Sequence, residues 1–212
     1  LGYLPEERGL YTKLTVGDVM TYFGSLKGLS RAEARRRSGE WLERVELPDV
    51  AGWKIDRLSK GMSQKVQIAS VLMSDPELCV LDEPTTGLDP VNVRLVQDLL
   101  IERRRNGRTT ILSTHQMNQV EALCDRIAMI NRGRLMVYGE VDEVRRHHSL
   151  PEVRVHARGP LPPVAAVASV IDDGAGSWRL MLADGSGPSD ALSTLVAAGA
   201  VIDRFEPMLA PM

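Results

Sequence analysis

Asp82 and Glu83 close a short apolar run, Leu78-Cys79-Val80-Leu81, and Pro84-Thr85-Thr86-Gly87-Leu88-Asp89-Pro90 follows them. Such a strand delivers both carboxylates to its C-terminal end, the edge where open α/β sheets place their ligands. Asp82 offers the hard oxygen that Mg2+ accepts, directly or through water. Glu83 leaves the turn in another direction and can orient or deprotonate a water. A strand end followed by a solvated acidic turn is the alternative. Upstream, Leu58-Ser59-Lys60-Gly61-Met62 opens a helix. The unpaired N–H donors and partial positive charge of a helix start favour an anion such as a phosphate, and Lys60 adds a full charge beside Ser59 and Gly61. Taken alone, a Ser-x-Gly is equally an ordinary N-cap. His115 comes just after the run at 109–113. It falls on the same sheet edge as Asp82, where it can hydrogen-bond a phosphate or its attacking water. By itself it is equally a surface histidine.

Several elements must position these groups. Leu1 to Leu4 reads as a strand stopped by Pro5, and Glu6 to Lys13 as a polar loop. Thr15, with Asp18 three residues on, predicts an N-cap for a helix that Gly28 stops. Ser30 and Glu33 predict a capping box for the next helix. Apolar residues at Met62, Val66, Ala69, Leu72 and Met73 predict a helix over 61–74, and Asp75-Pro76 stops it. A buried strand at 77–81 follows, then a helix over 91–105 that Asn106-Gly107 ends. Beyond it come a strand at 109–113, a helix at 116–124, a hairpin of strands 127–130 and 134–138, and a short helix to 147.

Composition then shifts, with prolines at 151, 160, 162 and 163. The organisation read from this is a catalytic domain over 1–148, with a helical subdomain at about 14–75. A Pro-rich linker at 149–163 and a small α+β domain at 164–212, joined by a strand at 153–157, complete it.

A chain of 43% apolar and 25% charged residues with net charge −2 fits a folded protein with no general pull toward nucleic acid or anionic lipid. No apolar run approaches the roughly 18–20 residues that a helical membrane span needs. Two cysteines make neither a disulfide framework nor a metal knuckle. The first residue is Leu1, and Leu1-Gly2-Tyr3-Leu4 reads as the end of a strand already under way, so the N-terminus is expected to be a cut end.

The order of these parts resembles the ATP-binding cassette (ABC) family, the ATPase subunits of ABC transporters. Leu58 to Met62 is similar to its LSGGQ signature, Leu78 to Glu83 to its Walker B strand, Gly87-Leu88-Asp89 to its D-loop and His115 to its switch histidine. The resemblance covers roughly residues 1–147. It implies an α/β, P-loop NTPase-like cassette with a helical subdomain, N-terminally truncated, plus a small C-terminal α+β domain. It implies ATP and Mg2+ as cofactors, with Asp82 on Mg2+, Glu83 on the hydrolytic water and His115 on the γ-phosphate. Ser59, Lys60 and Gly61 would clasp ATP held by an opposing cassette, and Gly87, Leu88 and Asp89 would lie at that interface.

The partners implied are a second cassette and an integral membrane permease, with no nucleic acid. The implied place is cytoplasmic, on the inner face of the cell membrane. The implied function is ATP hydrolysis powering export through that permease. Alternatives are a soluble ABC ATPase of translation or DNA repair, and a docking module without turnover.

Three departures stand out. Lys60 and Met62 replace a glycine and a glutamine of the signature. Glu6 aligns with the family's Q-loop glutamine, where a carboxylate can still meet Mg2+ or its water. The Gly-x-x-x-x-Gly-Lys-Ser/Thr phosphate loop is absent from the 212 residues. The tail loosely resembles the C-terminal extension of efflux-type, ABC-2-like cassettes.

Overall fold

A computed structural model describes residues 1–7, 9–148 and 151–208. Its contacts divide the chain into two compact units, Leu1–Gln119 and Val120–Met212. The sequence reading groups residues through 148 with the cassette, whereas the hairpin after residue 125 falls in the second unit.

The first unit is built on three parallel strands in the order β1-β2-β3: β1 (Gly2–Leu4), β2 (Leu78–Asp82) and β3 (Thr109–Ser113). Leu4 lies opposite Leu81, and Asp82 opposite Ser113. All three strands therefore end at one edge. Helices α1 (Val16–Leu26) and α2 (Arg31–Arg44) follow β1 and pack on each other and on α3 (Lys60–Leu72). A Cβ on Gly24 would come within 2.8 Å of Met73 Cε and 2.9 Å of Ala34 Cβ, so a glycine is what lets these three helices meet. Helix α4 (Pro90–Arg105) joins β2 to β3, and α5 (Met117–Leu123) begins just after His115. Leu4, Val16, Met20, Leu42, Ile68, Leu72 and Leu81 form the buried interior.

The caps follow the sequence with one difference. Thr15 accepts from the Asp18 amide, Ser30 from the Glu33 amide and Ser59 from the Met62 amide. The Glu33 carboxylate does not reach back to Ser30, because Arg36 and Arg37, three and four residues on, both bind it. The expected capping box is thus half formed, and an i,i+3/i,i+4 ion pair takes its other half.

The second unit holds a hairpin of β4 (Arg126–Asn131) and β5 (Arg134–Glu140), turned at Arg132-Gly133, and then α6 (Val141–His148). After it, β6 (Glu152–Ala157), β7 (Val167–Gly174), β8 (Ser177–Leu182) and β9 (Ile202–Pro207) form an antiparallel sheet in the order β7-β8-β6-β9. Alternate residues Val153 and Val155 of β6 and Leu180 and Leu182 of β8 point to one face. There they bury Ala191 and Leu195 of α7 (Pro188–Ala197). Among the described residues, no helix is long and apolar enough to cross a membrane.

Candidate functional site

At the end of β2 the chain turns sharply. Glu83 takes a left-handed φ of 45° while its amide still donates to Ser113 O at 3.0 Å. A left-handed conformation is uncommon for a residue with a Cβ, and such conformations cluster where surroundings hold a side chain in a set direction. The Glu83 side chain, 14% exposed, turns toward the loop after β3. There Oε1 accepts from the His115 amide at 2.9 Å and lies 2.7 Å from His115 Nδ1. Oε2 receives a longer bond of 3.3 Å from Thr86 Oγ1. The His115 ring is itself largely exposed, at 77%.

On the neighbouring strand, Ser113 Oγ donates to Asp82 Oδ1. Asp82, Glu83 and His115, predicted to share one sheet edge, are thus brought to that edge, and Glu83 and His115 touch. Glu6 leaves the same edge one strand over and is exposed, with no bond to Asp82 or Glu83.

The loop after Glu83 is held from two sides. Thr86 N donates to Glu83 O at 3.1 Å and Leu88 N to Thr85 O at 3.2 Å. Gln64, buried in α3, donates through Nε2 to Pro84 O at 2.9 Å. Gln119, buried in α5, donates through Nε2 to Thr85 Oγ1 at 2.7 Å. Gly87 has φ 81°, and a Cβ there would sit 3.0 Å from Lys60 Cε, so only glycine suits both the turn and its neighbour. A Cβ on Gly61 would meet Gly87 O and Leu88 Cδ2 at 3.7 Å each. The start of α3 and the Gly87-Leu88 segment are therefore in contact within one chain.

Asp89 caps α4, accepting from the Val91 and Asn92 amides at 3.0 Å each. The Asn92 amide, then its side chain, holds the Asp89 carboxyl below the usual carboxylate range. Ser59 is the expected N-cap, and its hydroxyl hydrogen remains available to a second acceptor.

Among the described residues no group of three His, Cys, Asp or Glu side chains gathers to hold a metal. Mg2+ is commonly held by one or two carboxylates, with waters and phosphate oxygens filling its octahedron. Asp82 at the strand end can be such a carboxylate. Sequence reasoning missed Ser113, Gln64, Thr85 and Gln119. For Gln64, Thr85 and Gln119 the signal, a polar residue at a buried position, shows only once burial is known; Ser113 is exposed, and its signal is the strand register that sets it opposite Asp82.

Residues 1–86 match the family model described as ABC transporter. The ABC transporter ATP-binding protein YhaQ of Bacillus subtilis is 41% identical over 157 residues, covering 74% of this chain and 53% of the relative. The linearmycin resistance ATP-binding protein LnrL of the same species is 37% identical over 139 residues, covering 66% and 45%. The fluoroquinolones export ATP-binding protein of Mycobacterium tuberculosis is 38% identical over 149 residues, covering 70% and 48%. A solved structure of an ATP-binding subunit of an ABC transporter superposes with TM-score 0.64 at 33% identity, covering 69% of this chain and 61% of that one. The chain spans about half the length of the curated relatives it matches. These matches make the N-terminal region of this chain an ATP-binding domain of the ABC transporter family, with that family's α/β cassette fold.

Proposed function

We propose that this cassette hydrolyses ATP, with Mg2+, to power export through a separate membrane permease. The observation that carries the proposal is the Glu83–His115 pair at 2.7 Å, set beside Asp82 on one sheet edge. His115 engages Glu83 Oε1 twice, which leaves Oε2, with one long bond, as the oxygen that can take a proton from water. Asp82, steadied by Ser113, would hold the metal directly or through water. When bound, Mg2+ neutralises phosphate oxygens and ATP supplies the phosphoryl group. In this reading Glu6, at the same sheet edge, would meet a metal-bound water.

The α3 start fits a second task. Ser59 Oγ, the first-turn amides and Lys60 are the donors an anion needs, and they adjoin Gly87-Leu88. In this reading Ser59, Lys60 and Gly61 clasp the nucleotide of an opposing cassette, with Gly87, Leu88 and Asp89 at that interface. The permease would dock on the helical part, where Tyr11, Leu14, Tyr22 and Leu26 leave large apolar surface exposed. That places the protein on the cytoplasmic face of a membrane. Export is favoured by the names of two relatives, which describe linearmycin resistance and fluoroquinolones export.

The test uses the natural protein in which this chain occurs. With Mg2+ and ATP it is expected to release phosphate. Glu83→Gln should keep ATP binding and accumulate a closed dimer. Ser59→Arg should block dimer closure while ATP affinity of the monomer stays within about twofold, since a clasp on the opposing nucleotide adds nothing to the protomer's own site. Unchanged turnover in Glu83→Gln removes that residue's role. Collapsed monomer affinity in Ser59→Arg assigns Ser59 to a different site.

A further inference from the structure

Gln119 is 1% exposed, yet it is polar. It sits one helical turn beyond His115, and Nε2 spends its hydrogens on Thr85 Oγ1 at 2.7 Å and Gln116 Oε1 at 3.0 Å. Its own Oε1 is buried and has no hydrogen-bond partner. An apolar side chain would fill the same space without that unmet acceptor, so the fold alone does not account for a glutamine here.

Its partner is what gives the amide a purpose. Thr85 is 3% exposed and lies two residues beyond Glu83. Its carbonyl accepts from Leu88 N, and the turn between them is closed by Thr86 N on Glu83 O. Fixing Thr85 therefore fixes the segment that gives Glu83 its left-handed backbone and its direction toward His115. On the other flank Gln64 grips the adjacent carbonyl, that of Pro84, at 2.9 Å. Two buried amides from two helices thus hold consecutive residues of one turn. One helix follows His115, and the other is capped by Ser59.

We propose that Gln119 is a positioning residue: it clamps the Pro84–Leu88 turn through Thr85 and so sets the Glu83 carboxylate against His115. The part of this that concerns turnover rests on the hydrolytic reading above. Gln119 touches none of the reacting groups and acts through Thr85.

The test compares Gln119→Met, Thr85→Val and the double variant in the natural protein. Both substitutions keep side-chain volume and delete one partner of the same bond. Hydrogen exchange without nucleotide reads the clamp directly. The Thr86 and Leu88 amides should exchange about tenfold faster in each single variant and no faster in the double, because residues sharing one bond are not additive. Phosphate release should fall about tenfold in kcat with KM for ATP unchanged, as expected when only the reacting arrangement is disturbed.

Unchanged exchange overturns the proposal, as do unchanged kcat in a loosened turn, a KM effect alone, or additive losses. A wild type that releases no phosphate defeats the hydrolytic reading instead, and the exchange measurement then decides the clamp by itself. Should Gln119→Met fail to fold, Thr85→Val reads the same bond from its other end.

Discussion

The three-stranded sheet of the first unit and the four-stranded sheet of the second manage their polar groups in different ways. In the first unit the strands β1, β2 and β3 run parallel, so every strand end reaches the same edge. The groups collected there, Asp82, Glu83, Ser113 and His115, are held by hydrogen bonds from a hydroxyl, an amide and an imidazole rather than by guanidinium groups. In the second unit β7, β8, β6 and β9 run antiparallel and their ends alternate between the two edges. Its charges pair sideways instead: Arg179 with Asp173, Arg158 with Asp203 and Arg204 with Glu206. Its other face is closed by α7. A carboxylate with no guanidinium partner can turn its charge to a metal or a water, whereas one paired with arginine is ionised but already compensated by its partner.

The sharpest way to break this contrast is to neutralise one carboxylate on each sheet. In the natural protein, Glu83→Gln should cut phosphate release by about 100-fold or more, the usual scale for a lost general base. Asp173→Asn should leave it within about twofold, since it removes only an exposed ion pair. A steady-state phosphate assay checks both. Equal losses would show that the distinction between the two sheets has no chemical meaning.

A second comparison concerns packing. Leu180 has no exposed surface and sits at the centre of the second unit's core. Leu180→Ala should destabilise that unit by about 2–5 kcal/mol, the cost of an unfilled core position. Chemical denaturation followed at Trp178, which packs on the same core, reads the loss. A shift below about 1 kcal/mol would mean that the α7 face is not the closed interior it resembles.

Much of the first unit was legible in the sequence because its signals are local. Thr15, Ser30 and Ser59 cap the helices that follow them, and the apolar run 78–81 ends at Asp82 as its pattern implies. The parallel register then needs no further information to bring Asp82 and His115 to one edge. What the sequence did not disclose depends on partners far along the chain. Gln64 reaches Pro84, Gln119 reaches Thr85 and Ser113 reaches Asp82. A buried glutamine has the same letter as a solvated one, and only the three-dimensional arrangement separates them. Helix α3 makes the point most clearly. It buries Gln64, Lys65 and Gln67 beside Val66 and Ile68, so its apolar periodicity reports only part of its buried surface. The boundary at residue 148 rested on motif resemblance and composition, whereas the contact division at 119/120 depends on which strands pair, and among the described residues β4 and β5 pair only with each other.

The smallest effect concerns an ion pair within the first unit, away from the sheet edge. Arg36 binds Glu33 through two nitrogens, at 3.0 and 2.7 Å, and Arg37 adds a third bond at 2.7 Å. Arg36, and then Arg37, hold the Glu33 carboxyl down to about 2 from an ordinary value of 4.5. The folded state therefore prefers the ionised form more strongly than the unfolded chain does. Whatever stability this adds is fully present above pH 4.5 and is lost as the pH falls from there through about 2. Because these side chains are solvated, the contribution is modest, and 0.5 M salt should shrink it further. A carboxyl-detected NMR titration should place the Glu33 midpoint near 2. The melting temperature of Glu33→Gln, compared with wild type, should fall less steeply across the same interval. Parallel curves for the two proteins, or a midpoint near 4.5, would show that the arginines contact Glu33 without holding its charge, and the contrast between paired and available carboxylates would lose its clearest surface example.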